Sequence, residues 1–132
     1  MSWSTSASTT WHYPTCSANL RCTAGDLVDG FRALADSAHR AGLRILAATI
    51  GPFAGAGPEI GTPEGLAVRR EVNDWIRTAD TFDAVFDVAR VVANPHSLDH
   101  IHPALDSGDG MHLNDRGAEA MAGAVDLDDL AL

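Results

Sequence analysis

The sequence predicts an α/β fold with parallel strands joined by crossover helices, and three observations carry that prediction. Segments of helical periodicity alternate with two short, mostly apolar runs, 43–50 and 82–88. A third helical segment follows the second run, and the order helix–strand–helix–strand–helix places two strands side by side, pointing the same way. Length and composition bound the rest: 132 residues make one domain at most, and 45% hydrophobic with 20% charged residues is a globular balance.

Residues 1–22 stand apart. Met1 to Thr10 is mostly Ser and Thr, followed by Trp11-His12-Tyr13-Pro14, and no periodicity shows. This segment is expected to be poorly ordered coil. The first helix opens at Thr23, an N-cap with Asp26 three residues on in a capping-box pattern. Leu27, Phe31, Leu34, Ala35 and Ala38 give it one buried face, and Gly42 ends it at the C′ position. Leu43–Ile50 reads as a strand whose apolar run suits a sheet covered on both faces. Residues 51–63, with four Gly and three Pro, form a loop at that strand's C-terminal end, where α/β proteins place their sites. Glu64–Ala79 is the second helix, with Leu66, Val68, Val72, Trp75 and Ile76 inward and Arg69, Arg70 and Arg77 on a solvated face. Phe82–Val88 is the second strand, and 89–93 a helical turn. A long loop covers 94–111, and Asn114 or Asp115 caps a final helix reaching about Val125.

All nine cations are Arg, and the net charge is −9. From Asp99 to the C-terminus eight acids face one cation, Arg116. That balance argues against nucleic acid or an anionic membrane as partner; a solvated acidic surface accounts for it. No run approaches the roughly 18 apolar residues of a membrane span, and no basic and apolar leader pattern marks a signal peptide. Cys16 and Cys22, with five residues between them, fit no standard zinc pair. A disulfide and a reduced pair both remain compatible with that spacing.

The chemistry concentrates at Asp109-Gly110-Met111-His112, just before the last helix. A general base needs an imidazole held in one tautomer, and a carboxylate three residues away in a tight turn can provide this. Gly108 and Gly110 permit such a turn. The bare D-x-x-H pattern also fits a surface loop with a helix-capping role. His100-Ile101-His102, with Asp99, Asp106 and Asp109 nearby, admits a second possibility: a metal-binding module built on His100, His102 and His112. His39, in the last turn of the first helix, reads as structural.

From Thr23 onward the chain resembles the SGNH/GDSL hydrolase family, and within it the bacterial esterase-like members. The resemblance rests on T-A-G-D-L-V-D-G-F-R-A-L-A-D-S-A-H-R-A-G-L-R-I-L-A-A-T-I-G-P-F from Thr23, on N-D-W-I-R at 73–77 with F-D-A-V-F-D at 82–87, and on D-S-G-D-G-M-H-L-N-D-R-G-A-E-A-M-A at 106–122, in family order. The last stretch resembles the family's final block, whose catalytic Asp and His fall on Asp109 and His112. The resemblance implies a three-layer α/β/α, flavodoxin-like sandwich, with residues 23–132 as its C-terminal part. It implies hydrolysis of a carbohydrate ester, simple ester or lipid by a Ser-His-Asp triad, with no metal or organic cofactor. Met111 and the long loop would border the substrate pocket.

The family's Gly-Asp-Ser nucleophile motif and its Gly-x-Asn-Asp block have no counterpart here, and Asn73, inside a helix, does not replace the oxyanion Asn. Ser2, Ser4, Ser6, Ser8, Ser17, Ser37, Ser97 and Ser107 do not follow a strand in the sharp turn that exposes a nucleophile. The expectation is therefore the acid–base half of an ester hydrolase, inactive alone. A non-catalytic remnant or interaction module is the alternative. Without the family's central strands, Leu43–Ile50 would present an open, apolar edge that favours self-association.

Overall fold

The computed structural model describes residues 22–131 and is a mixed α/β arrangement. Helix α1 spans Ala24–Arg40, strand β1 Leu46–Ala48, helix α2 Pro63–Thr78 and strand β2 Ala84–Phe86. A short helix α3, Val88–Val92, leads into strands β3, Ala93–Asn94, and β4, Ser97–Ile101, and helix α4 covers Asp115–Gly123. The expectation for residues 1–22 lies outside the described residues except for Cys22, which is disulfide-bonded.

The helix starts follow their caps. The Thr23 hydroxyl accepts the Asp26 N–H at 3.2 Å, and the Asp26 carboxylate accepts the Thr23 N–H at 2.9 Å. This reciprocal box satisfies two donors that a helix end otherwise leaves open. Thr62 caps α2 by accepting the Gly65 N–H at 3.1 Å, with Pro63 at the first helical position. Asn114, not Asp115, caps α4, accepting the Gly117 N–H at 3.0 Å.

β1 and β2 pair in parallel, with Ala47 opposite Val85. α1 and α2 pack onto this pair around Ala24, Val72 and Ile76, joined by Leu27, Val68, Ala47 and Val85. Phe31, Trp75 and Phe82 form an aromatic triangle, with ring centroids 5.6 to 6.3 Å apart. Burying such faces is the main favourable term holding the layers together.

The expected runs 43–50 and 82–88 shorten to three-residue strands. Leu43 and Ala48 are exposed, so coverage of the strand on both faces is not met. Among the described residues β1 has one partner, β2. A second departure is the hairpin β3–β4, antiparallel, which starts at Ala93 and runs into the expected loop 94–111.

The polar face of α2 holds the C-terminal end of β1. Buried Asn73 accepts the Ile50 N–H at 2.7 Å and donates to the Ile50 carbonyl at 2.9 Å. Buried Arg69 donates from Nε to the carbonyls of Ile50 and Gly51 and from Nη1 to Asp99 at 3.0 Å. Arg69 is thus not on a solvated face: carbonyls and a carboxylate replace the water its guanidinium loses. At the opposite end Asp83 accepts the Ile45 N–H at 2.7 Å and contacts His39 at 2.9 Å, tying α1 to both strands.

Candidate acid–base turn

Residues 106–113 form a closed turn. Asp106 and Leu113 make an antiparallel bridge, and the Ser107 N–H donates to the His112 carbonyl at 2.9 Å. Asp106 Oδ1 accepts the N–H groups of Gly108 and Gly110 at 2.8 and 3.1 Å. Gly108 and Gly110 take φ values of +112° and +72°, backbone conformations that side-chain-bearing residues rarely adopt. Asn114 secures the base of the turn, donating its side-chain N–H groups to the carbonyls of Ala104 and Asp106.

The loop after β1 sets where the turn lies. A Cβ placed on Gly110 would overlap the backbone of Gly55, in the 3-10 turn Ala54–Ala56. Main chain therefore rests on main chain, and the turn sits at the C-terminal end of the parallel pair.

Within the turn Asp109 and His112 are brought together. Asp109 Oδ1 accepts the N–H groups of Met111 and His112 at 2.9 and 2.7 Å and the Ser107 hydroxyl at 3.2 Å. Asp109 Oδ2 lies 2.5 Å from His112 Nδ1. With the carboxylate as acceptor, Nδ1 carries the proton and Nε2 becomes the basic nitrogen. The N–H groups and the imidazole hold the Asp109 carboxyl well below the usual carboxylate range. The same carboxylate raises the His112 imidazole above its ordinary 6.5. Nε2 has no hydrogen-bond partner among the described residues.

The pair lies open to solvent, with side-chain exposures of 72% for His112 and 51% for Asp109. A shallow cleft of about 540 Å³ runs beside the turn past Ser97, His100, Asp106 and Gly108, but neither member of the pair lines it. Met111 is exposed.

The other candidates disperse. Asp99 pairs with Arg69 and Arg70. His100 Nδ1 lies 2.8 Å from the Ser97 hydroxyl, and His102 Nδ1 accepts the Ala104 N–H at 3.1 Å. Among the described residues no three His, Cys, Asp or Glu side chains are placed to share a metal ion, so His100, His102 and His112 do not form one centre. Ser37 donates to the Ala33 carbonyl, and Ser107 reaches Asp109 rather than the imidazole. The Arg69–Asp99 pair is the feature that sequence reasoning missed; the signal available was an Arg at the helix position preceding the apolar Val72 by three.

No protein-family model matches the chain, and no curated protein does. Among the described residues no helix is long and apolar enough to cross a membrane.

Proposed function

We propose that the chain carries the acid–base half of a Ser-His-Asp ester hydrolase of the SGNH/GDSL type, with Asp109 orienting His112 and His112 Nε2 as the general base. The observation that supports this most directly is the 2.5 Å contact between Asp109 Oδ2 and His112 Nδ1, in a turn whose backbone donors fix the carboxylate. In such a site the carboxylate selects the tautomer and stabilises the imidazolium that forms when Nε2 takes a serine proton. The parallel β1–β2 pair with its packed helices fits the C-terminal part of a three-layer, flavodoxin-like sandwich. The substrate class is an ester of a carbohydrate, a simple alcohol or a lipid.

A second reading follows from the exposure of the pair: taken alone, the chain has no catalysis of its own. Acyl transfer needs a nucleophile, oxyanion donors and an environment poor in water. Nothing among the described residues encloses His112 Nε2, and no described serine is hydrogen-bonded to it. The two readings describe one half-site.

The test begins with the DNA upstream of the Met1 codon. A strand ending in Gly-Asp-Ser and a Gly-x-Asn-Asp block, in any frame, would be joined to this chain and assayed on a chromogenic short-chain ester. The joined protein should turn over the ester and lose at least about a hundredfold in rate on His112→Ala, while the 132-residue chain stays inactive. Activity indifferent to His112, or no such blocks upstream, would defeat the hydrolase reading. Turnover by the 132-residue chain that vanishes on His112→Ala would defeat the second one.

A further inference from the structure

In a chain of net charge −9, four of the nine arginines gather around one cleft. Arg69, Arg70 and Arg77 reach it from α2 and Arg90 from α3, and its volume is about 210 Å³. Three carboxylates serve these four guanidinium groups. Asp99 takes Arg69 at 3.0 Å and Arg70 at 2.5 Å. Asp87 takes Arg77 through two hydrogen bonds, at 2.9 and 3.0 Å, and approaches Arg90 at 3.6 Å. Asp74, mostly exposed, reaches Arg77 at 3.2 Å.

Arg69 is 5% exposed. Its Nε is committed to two carbonyls and its Nη1 to Asp99, while no acceptor among the described residues takes its Nη2. No buried side-chain nitrogen or oxygen among the described residues lacks a partner, so Nη2 reaches the surface, and the surface Arg69 lines is the cleft. Burial pushes the Arg69 guanidinium below its ordinary value; Asp99 opposes this, and the positive charges of Arg77 and Arg70 add to it.

We propose that this cleft binds a small phosphate group, either free phosphate or a phosphate monoester. A carboxylate is satisfied by one bidentate arginine. Here donors approach from two helices, four guanidinium groups exceed three carboxylates by one positive charge, and the spread of donors suits an anion with three or more acceptor oxygens. Arg69 Nη2 supplies the fixed donor at the floor, and the exposed Arg70 and Arg90 close over the anion from the rim. The site is independent of Asp109 and His112, so it stands or falls separately from the hydrolase reading.

The test is calorimetric titration of the full chain with inorganic phosphate and with glycerol 3-phosphate, against acetate and chloride at matched ionic strength. Saturable binding of phosphate in the millimolar range or below is expected, with none for acetate or chloride. Arg90→Gln and Arg70→Gln should each weaken it by roughly tenfold, the scale of one charged hydrogen bond. Asp74→Asn, which removes a rim carboxylate, should tighten it severalfold. Tighter binding of glycerol 3-phosphate assigns the cleft to a monoester; equal or weaker binding assigns it to free phosphate. Absence of saturable binding, or binding unchanged in Arg90→Gln and Arg70→Gln, would show that the arginines only fasten β4 to α2, and the proposal would fail.

Discussion

Asp109 divides its two oxygens between two tasks. Oδ1 gathers backbone N–H groups and so fixes the turn, while Oδ2 faces the imidazole. Asp109→Asn separates charge from shape, because the amide keeps an oxygen for the N–H groups and discards the negative charge. His112, followed by NMR, should titrate above 6.5 in the native chain and return toward 6.5 in the variant; an unchanged midpoint would rule out the carboxylate as cause. The signs for stability follow by linkage. The raised imidazole contributes below its unfolded value and loses that contribution as pH rises through the folded one. The depressed carboxyl contributes above its ordinary 3.8 and loses it as pH falls through its folded value. The pair therefore helps most in mildly acidic solution, weakly, because water screens both groups. Asp109 and His112 were legible because a three-residue spacing between glycines constrains the turn locally. No described serine is hydrogen-bonded to Nε2, and a partner for it from distant chain is something no local pattern encodes.

At the scale of elements, the capped helices were legible and the hairpin was not. Thr23 with Asp26 is short-range chemistry and appears in the structure as read, and of the two caps open for the last helix the structure takes Asn114. β4 does alternate, but in inverted form. Leu98 and His100 are exposed, while Ser97, Asp99 and Ile101 turn inward. Asp99 can face inward only because Arg69 and Arg70 meet it from α2, thirty residues away in sequence. Polar residues at inward positions hide a strand from any periodicity argument. The same pair yields a prediction. Asp99→Ala leaves a buried guanidinium short of its countercharge, and chemical denaturation should show a loss of about 3 kcal/mol. A loss below about 1 kcal/mol, the level of an exposed pair, would mean that the network does not hold the hairpin to the helix.

For the whole molecule, the parallel sheet is small. Two three-residue strands with one ladder between them are marginal by themselves and rely on α1 and α2 for their stability. Among the described residues β1 offers its second edge to no strand, and Leu43 and Ala48 lie exposed beside it. Such an edge invites pairing between chains. Sedimentation velocity should accordingly show concentration-dependent association, reduced by Ala48→Lys; a monomer at all concentrations would remove the expectation. The alternating order of helices and strands made the α/β class legible. The extent of the sheet was not, because apolar runs such as 43–50 record what a strand wants to bury and not how much cover it finds.

The contact between Gly55 and Gly110 has a consequence for how this protein can diverge. The height of the turn above the sheet is set by two backbones touching, a distance that no side chain specifies. Descendants can exchange the exposed Met111 side chain and keep the geometry. A single methyl group at Gly110 would lift the turn from its seat while leaving Asp109 and His112 themselves unchanged. The placement of the pair would then change through a position that carries no functional group at all.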